Sequence, residues 1–293
     1  MDLGVVIVSY NTVALLRRCL QTVLASEGLQ FRVCVVDNAS WDGSAAMAAA
    51  EFPSVQVIAN AENIGYPAAN NQGLRRLGFL DDGDAVPPRH ALLLNSDTEV
   101  PPDAFARTVA VLDGEPDVGI VGPKLVRLDG SLDLACRRSF PTPTISAYRM
   151  LGLSRMFPKH RRFGQYNLTY LDENQRAEVD SVVGAYMLVR GECIRSVGGL
   201  DETFFMYGED LDWAYRIKEA GWKVIYDPSV TVLHVKAASS RQSPRARVEF
   251  WRAMEIFYRK HYAATTPRVV HALIIGAVRL RMELERWRAR ASR

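Results

Sequence analysis

The chain has 293 residues, 48% of them hydrophobic, and a formal net charge of +3. This is enough apolar material for one large α/β domain or for two smaller domains. Four cysteines without CxxC spacing are typical of reduced, mostly buried thiols in a cytosolic protein. The chain enters a strand at once, which predicts no signal peptide, and the apolar stretch at 269–278 is too short to span a bilayer.

The first half of the chain predicts alternating strands and helices. Residues 4–10 indicate a buried strand, and Asn11 and Thr12 are suited to cap a helix over 13–26. The same alternation continues with strands at 32–36, 55–59 and 91–94, and with helices ending near residue 51, over 67–77 and over 102–112. Such alternation predicts an α/β fold with a mostly parallel sheet and helices on both faces.

After Gly119 the pattern changes. An Asp-Gly pair at 129–130 predicts a hairpin over 124–132. Residues 141–178 are irregular and rich in Arg, Tyr and Phe, as expected of a substrate loop or of a surface excursion. The remaining predicted elements are an apolar segment at 182–189, a helix over 209–220, short strands at 223–226 and 230–233, and an amphipathic helix over 245–262.

A polar cluster, Asn95, Ser96 and Asp97, follows the apolar strand at 91–94. Open α/β sheets bind ligands at the carboxyl ends of their strands, so this cluster is a candidate site. An Asp there can hold a divalent cation, which in turn can hold a diphosphate. His234, at the end of the last short strand, is a candidate second ligand for Mn²⁺ or a similar ion. The structural alternatives are a turn or helix cap for the cluster and a satisfied core position for the histidine.

Polar residues also follow the first two strands. Ser9, Tyr10 and Asn11 stand where a dinucleotide-binding fold would have GxGxxG, which argues against that fold. Asp37, at the end of the second strand, is suited to accept a hydrogen bond from a ribose hydroxyl or a base N–H. An Asp-capped turn explains it equally well.

The segment 60–71 is rich in Asn and Gly. Asn63, Gly65 and Asn70 are candidates to shape a backbone that approaches a nucleotide. A loop followed by a capped helix is physically as good an explanation.

Acidic residues open the helix that begins at 209. Asp210 is the candidate to face a cleft and take a proton from a hydroxyl nucleophile. Glu209, Tyr207 and Trp213 are weaker candidates for contact with the acceptor. The alternative is that the helix dipole alone favours acidic residues in this first turn.

Taken together, these segments resemble the family 2 glycosyltransferases with the GT-A fold, and within them the rhamnosyltransferase-like branch. The matching segments, in the family's order, are VIVSYN at 6–11, VVDNASWDGS at 35–44, NIGY at 63–66, LNSD at 94–97, GGLDETFF at 198–205 and GEDLD at 208–212. Each is weak alone, but jointly they are specific.

The resemblance implies an inverting transfer of a sugar from a nucleotide-diphosphate donor, with Mn²⁺ or Mg²⁺ as cofactor. It implies that Asp37 binds the nucleoside, that Asp97 and His234 bind the metal, and that Asp210 is the general base. The further donor-binding candidates are Ser9, Tyr10, Asn11, Asn63, Gly65, Asn70, Asn95 and Ser96. The chain departs from the family's Asp-x-Asp motif at Asn95, which leaves one formal charge fewer at the metal. The donor expected from this branch is dTDP-L-rhamnose, followed by UDP-sugars. The expected acceptor is a glycan or a polyprenyl-diphosphate-linked glycan in surface polysaccharide synthesis.

Two other classes of protein remain open from the residues alone. A nucleotidyltransferase also binds a nucleotide and a metal on an α/β sheet, but it would need a Gly-rich loop with Lys or Arg after the first strand. A non-catalytic nucleotide- or carbohydrate-binding module would need no general base.

The predicted catalytic domain covers 1–240, with a nucleotide-sugar half at 1–123 and an acceptor half at 124–240. The remaining 241–293 form a basic helical extension with 13 Lys/Arg and 4 Asp/Glu, a net charge of +9. Its mixture of Arg and apolar residues is typical of an interfacial helix on anionic lipid, or else of a solvated helix or homo-oligomer contact. Aromatic residues at core-like spacing argue against a nucleic-acid partner. The expected location is cytoplasmic, with peripheral association at the inner face of the cell membrane.

Overall fold

The computed structural model describes residues 1–80, 86–235 and 244–291. Within these ranges one mixed sheet is flanked by helices. The strands are β1 Leu3–Ser9, β2 Phe31–Asp37, β3 Gln56–Ala59, β4 His90–Asn95, β5 Thr98–Glu99, β6 Val118–Val126, β7 Ala177–Val179, β8 Tyr186–Arg190 and β9 Lys223–His234. The α-helices are α1 Val13–Leu24, α2 Ser44–Glu51, α3 Tyr66–Arg76, α4 Ala104–Gly114, α5 Pro143–Met150, α6 Leu153–Met156, α7 Gly191–Val197, α8 Glu209–Glu219, α9 Pro244–His261 and α10 Arg268–Ala291.

The strand order is β3-β2-β1-β4-β8-β6-β9-β5, and β7 also pairs with β9. The first four strands of this order pair in parallel. β8 runs antiparallel to both β4 and β6, and so joins the two halves of the chain in one sheet. The predicted α/β class is confirmed. Because the parallel strands run the same way, the residues that follow β1, β2 and β4 meet at one edge.

Helices cover both faces of the central strands, so β1 is buried at every position and β4 at all but the last. The approach of α3 to this layer depends on Gly73. A Cβ at this position would lie 2.4 Å from Cγ1 of Val6 in β1, so any larger residue would push the helix away from the sheet.

Several local predictions differ from the structure. Thr12 makes no side-chain cap for α1. Instead the backbone N–H of Val13 donates to Oδ2 of Asp42 at 2.8 Å, so a carboxylate from the loop after β2 satisfies the helix end. A capping residue 29 positions away cannot be recognised from the residues that adjoin the helix.

The second half is more continuous than its sequence pattern indicated. The two short strands predicted at 223–226 and 230–233 form the single strand β9, which pairs with β6 through a register shift at Pro123/Lys124. The Asp-Gly turn at 129–130 is present, but only one bridge, Val126 to Leu132, closes the predicted hairpin. The irregular stretch at 141–178 contains α5, α6 and the beginning of β7.

The C-terminal helices are attached to the rest of the protein through α9. Its Ala253 and Phe257 form a small apolar cluster with Phe204 and with Leu211 of α8. The predicted domain boundary at 240/241 lies outside the described residues, and the domain division stays a prediction. In the described ranges, no helix combines the length and apolar character that crossing a bilayer requires.

Candidate active site

Hydroxyl groups connect the ends of β1 and β4. The Oγ of Ser9 lies 3.0 Å from Oγ1 of Thr12, which lies 3.0 Å from Oγ of Ser96. The loop after β2 joins the same group, because the backbone N–H of Asn11 donates to Oγ of Ser40 at 2.8 Å. The structure therefore brings the three predicted strand-end segments together at one edge of the sheet. Next to them the side chain of Tyr10 is 49% exposed.

Asp37 ends β2 with one carboxylate oxygen satisfied and one not. Its side chain is buried, and Oδ2 accepts the backbone N–H of Ser40 at 2.9 Å. Oδ1 is also buried and has no hydrogen-bond partner among the residues that the structure describes. Leaving a buried acceptor unpaired is costly, so a donor group on a ligand would find a prepared partner here.

Asn38 holds the turn before α3 against β2. Its Nδ2 donates to Oδ1 of Asn63 at 2.9 Å and to the carbonyl oxygen of Gly65 at 3.2 Å, while its Oδ1 accepts the N–H of Ile64 at 3.1 Å. Gly65 has φ +93°, and a Cβ there would lie 2.7 Å from the carbonyl oxygen of Phe205. Asn38 lies within a segment that carries the resemblance, but the sequence did not indicate this role for it.

Asn70 lies inside α3 and is nearly fully buried. Its Nδ2 donates to the carbonyl oxygen of Tyr66 at 2.9 Å, one turn earlier in the helix. Its Oδ1 is buried without a partner in the described part of the chain. The hydrogen bond of Asn70 therefore supports the helix, and its Oδ1 is left buried and unpaired within the described residues.

Asp97 and His234 meet where β5 pairs with β9. The register sets Thr98 opposite His234. Oδ1 of Asp97 then lies 3.3 Å from Nε2 of the imidazole, and Nδ1 lies 2.9 Å from Oδ2 of the fully buried Asp133. Burial lowers the pKa of His234, but the hydrogen bonds to Asp133 and Asp97 outweigh it and raise the pKa to about 8.

This pair fits a divalent cation that is completed by substrate. Asp97 would supply a carboxylate oxygen and His234 an imidazole nitrogen, two donor types that Mn²⁺ accepts, from atoms that lie 3.3 Å apart. Among the described residues, no group of three or more His, Cys, Asp or Glu is arranged to hold a metal. A cation here would thus take its other ligands from phosphate oxygens and water, as is usual in phosphate-transfer sites. The contact with Asp133 orients the ring, as carboxylate partners of metal-binding histidines do.

Tyr66 connects the end of β4 to α8 through hydrogen bonds. Its hydroxyl lies 2.9 Å from Oδ1 of Asn95 and 3.1 Å from the carbonyl oxygen of Gly184. The N–H of Gly184 donates to Oδ2 of Asp210 at 3.0 Å. Asn95, which stands where the family motif has an acid, therefore shares a hydrogen-bonded chain with the predicted base. Burial is the main cause that raises the pKa of Tyr66, so its hydroxyl stays protonated.

Asp210 forms a buried ion pair that the sequence analysis missed. Nη2 of Arg138 donates to its Oδ2 at 2.8 Å, and both side chains are 8% exposed. The N–H of Leu211 donates to the other oxygen at 2.7 Å. Burial lowers the pKa of Arg138, but the carboxylate of Asp210 raises it and the net direction is upward. Asp210 is therefore fixed in place by three hydrogen-bond donors, which the sequence did not indicate.

Glu209 has the opposite environment, although it is the adjacent residue. It is buried, and its Oε2 lacks a partner in the ranges that the structure describes. Burial first, and then the negative charge of Asp210, raise the pKa of Glu209 to about 8. Of these two neighbouring carboxyl groups, Asp210 is paired with Arg138, whereas the raised pKa of Glu209 favours its neutral form.

The remaining acceptor candidates differ in accessibility. Trp213 is 0% exposed and donates its Nε1–H to the carbonyl oxygen of Gly198 at 2.9 Å. The prediction that it contacts an acceptor is wrong, because helix periodicity turns position 213 towards the core. Tyr207 is partly exposed in a left-handed conformation, φ +67°, with its ring 6.1 Å from that of Phe250.

The sheet, the strand-end polar residues and the acidic start of α8 define a GT-A glycosyltransferase. The chain belongs to glycosyltransferase family 2: the profile described as "Glycosyltransferase like family 2" matches residues 2–249.

Individual relatives agree with this class. The chain is 29% identical over 248 residues to the N-acetylglucosaminyl-diphospho-decaprenol L-rhamnosyltransferase of Mycobacterium tuberculosis, covering 84% of this chain and 80% of the relative. The mannosyltransferase PcManGT from Pyrobaculum calidifontis, solved with GDP-Man and Mn²⁺, has a TM-score of 0.60 at 18% identity, over 98% of this chain and 72% of that one. S. aureus TarS 1-349 with UDP-GlcNAc has a TM-score of 0.58 at 14% identity, over 96% and 72%.

Proposed function

We propose that this glycosyltransferase moves an L-rhamnosyl group from dTDP-L-rhamnose to a hydroxyl of a polyprenyl-diphosphate-linked glycan, with inversion at the anomeric carbon. The relative that acts as an L-rhamnosyltransferase on a decaprenyl-diphosphate-linked sugar supports this choice of donor and acceptor. The observation that carries the mechanism is the Asn95–Tyr66–Gly184–Asp210 chain. It links Asn95, at the end of β4, to the proposed base through hydrogen bonds.

The nucleoside would bind at Asp37. Its unpartnered Oδ1 is suited to accept the imide N–H that thymine and uracil both carry. Asn38 keeps the neighbouring turn in place. Because both bases offer this donor, a UDP-sugar is the second candidate, and Asp37 alone would not discriminate between them.

The diphosphate would lie against Asp97 and His234, with Mn²⁺ or Mg²⁺ between them. When bound, the cation offsets the negative charge that develops on the leaving diphosphate. Asp133 keeps the Nδ1 side of His234 occupied, so Nε2 is the nitrogen directed at the site.

Asp210 would act as the general base. Arg138 and the N–H of Gly184 hold Oδ2, so the carboxylate cannot rotate freely. Among the described residues, Oδ1 accepts the N–H of Leu211 alone, which would leave a lone pair for the acceptor hydroxyl. As the acceptor oxygen bonds to the anomeric carbon, the bond to the diphosphate oxygen breaks and the hydroxyl proton passes to Asp210. A single displacement of this kind inverts the anomeric configuration, and a base so placed contributes about 10² to 10⁴ in rate.

The experiment is a transfer assay with purified full-length protein, Mn²⁺ and a polyprenyl-diphosphate-linked N-acetylglucosamine. dTDP-L-rhamnose, UDP-N-acetylglucosamine and GDP-mannose are supplied one at a time, and the product is measured by mass spectrometry and NMR. We expect product from dTDP-L-rhamnose with inverted configuration. Product from another donor alone would overturn the donor assignment, and retained configuration would overturn the single displacement. Donor binding by thermal shift without product from any donor would support a binding module instead.

A further inference from the structure

The helix α10 has an inward face and an outward face. Inward, Ile275 and Val278 are buried, and Glu285 pairs with Arg247 of α9 at 2.8 Å. Outward, large apolar side chains remain exposed. They are Val269 at 74%, Leu273 at 68%, Leu280 at 63%, Leu284 at 39% and Trp287 at 67%. The packing on α9 therefore uses only part of the apolar surface of this helix.

These outward residues form one stripe, because steps of three, four or seven residues return to the same side of an α-helix. From Val269 to Trp287 the stripe is about 27 Å long at a rise of 1.5 Å per residue. Scattered exposed apolar residues are ordinary on protein surfaces, but a continuous stripe of this length marks a surface for binding.

Arginines border the stripe on both sides. At 100° per residue, Arg268, Arg279 and Arg286 fall on one border and Arg281 and Arg288 on the other. Arg268–Ala291 contains six Arg and two Glu, and one of these glutamates, Glu285, faces inward. The other, Glu283, pairs with Arg286, while Arg288 pairs with Glu285 and Arg279 with Glu255 of α9. Within the part of the chain that the structure describes, Arg268 and Arg281 are the border arginines without an ion pair, one on each side. The surface is therefore apolar in the middle and basic at its edges.

We propose that α10 lies flat on an anionic membrane, with this stripe in the acyl boundary and its bordering arginines among the lipid phosphates. Long basic side chains at the borders of an apolar helix face are suited to this, since they reach outward to charged headgroups. A second copy of the chain is the less suitable occupant. Packing stripe against stripe would bring arginine borders of two copies together, and like charges at such flanking positions oppose pairing.

The binding needs neither donor nor acceptor, so this inference goes beyond the proposed function and is tested apart from it. The helix pair α9 and α10 also contacts α8. Lys260 and His261, at the end of α9, both contact Oδ1 of Asp212, at 2.8 and 2.7 Å. Asp212 lies in α8, two residues after Asp210, so α9, on which the membrane-binding helix α10 packs, is attached to the element that carries the proposed base.

The experiment is co-sedimentation of the full-length protein with vesicles, without metal or nucleotide sugar. Vesicles of phosphatidylglycerol and phosphatidylcholine are compared with vesicles of phosphatidylcholine alone, at low and high salt. We expect binding to the anionic vesicles, at least about tenfold weaker binding to the neutral ones, and a decrease with added salt. Equal binding to both kinds of vesicle, or binding to neither, would overturn the proposal.

Variants on the stripe and its borders make the test specific to α10. The double variant Leu273→Gln, Leu280→Gln should lower partitioning to the vesicles about tenfold or more. Leu128→Gln is the matched control. Leu128 is also 68% exposed, but it lies in a turn far from α10 in the sequence. Arg268→Gln and Arg281→Gln, one on each border, should each cost about fivefold. Circular dichroism verifies that each variant is folded. Unchanged partitioning of the leucine variant contradicts the proposal, as does a dimer in solution that the same variant converts to monomer.

Discussion

Replacement of Asp210 by Asn tests the centre of the proposed mechanism. Asn has the same shape but takes no proton, so kcat should fall by about 10² to 10⁴. The donor contacts proposed for Asp37 and Asp97 are untouched, and donor affinity should therefore stay within about twofold. This combination, lost turnover with retained donor binding, separates a catalyst from a binding module.

The structure also predicts a loss of stability in this variant. Oδ2 of Asp210 accepts from Arg138 and Gly184, and Oδ1 accepts from Leu211. An amide has one acceptor oxygen, so in either orientation its NH₂ group faces at least one N–H donor. Arg138, at 8% exposure, is left without a counter-charge. Breaking a buried ion pair by removing one partner costs about 3–5 kcal/mol, and Arg138→Met combined with Asp210→Asn should recover part of it.

The assays are steady-state transfer, calorimetric titration of the donor and urea unfolding, all at neutral pH. Glu209→Gln is the matched control. Glu209 is neutral there because its pKa is raised to about 8, and Gln resembles the protonated acid. We expect this control to change kcat less than about tenfold and the free energy of unfolding by no more than about 1 kcal/mol. If folded Asp210→Asn keeps its rate within tenfold while Glu209→Gln loses a hundredfold, the base is Glu209 and the assignment is wrong.

Three further predictions concern the contact of Asp133 with His234, the titration of His234 and the turn at Gly65. Asp133→Asn should weaken Mn²⁺ binding about 10- to 100-fold by calorimetry, with the exposed-turn variant Asp129→Asn as unchanged control. Because the pKa of His234 is raised from 6.5 to about 8, the metal-free protein gains about 2 kcal/mol that is fully present below pH 6.5 and lost as pH rises through 8. Urea unfolding across this pH range should show the decline in the free energy of unfolding, and His234→Gln should remove it. If the decline persists in His234→Gln, another group causes it. Gly65→Ala should cost about 1–3 kcal/mol more than Gly43→Ala. Both have positive φ, but only the first Cβ meets backbone, at 2.7 Å; equal losses would refute the close contact.

The sequence by itself determined the fold class and the shared location of the strand-end residues. Continuous apolar runs separated by helical segments specify a parallel α/β layer. In such a layer the residues after β1, β2 and β4 must meet at one edge, which is why Ser9, Asp37 and Ser96 lie together. The roles proposed for them as ligand-binding residues stay predictions.

The sequence did not indicate which side chain pairs with which across the fold. Arg138 and Asp210 are 72 residues apart, and Asp133 and His234 are 101 apart. Periodicity reports which face of an element is apolar, but the partner of a buried charge depends on how loops close in space. The cap from Asp42 to α1 was missed for the same reason.

The tertiary structure also decided which apolar faces are buried. Trp213 faces the core, whereas Leu273 and Trp287 face outward, although all three lie in amphipathic helices. An amphipathic pattern indicates that a helix has an apolar face and a polar face. Only the packing of α9 against α8, and of α10 against α9, determines which apolar residues are left for a partner. The sequence therefore specified the sheet and its edge, and the long-range packing specified the charges and surfaces around it.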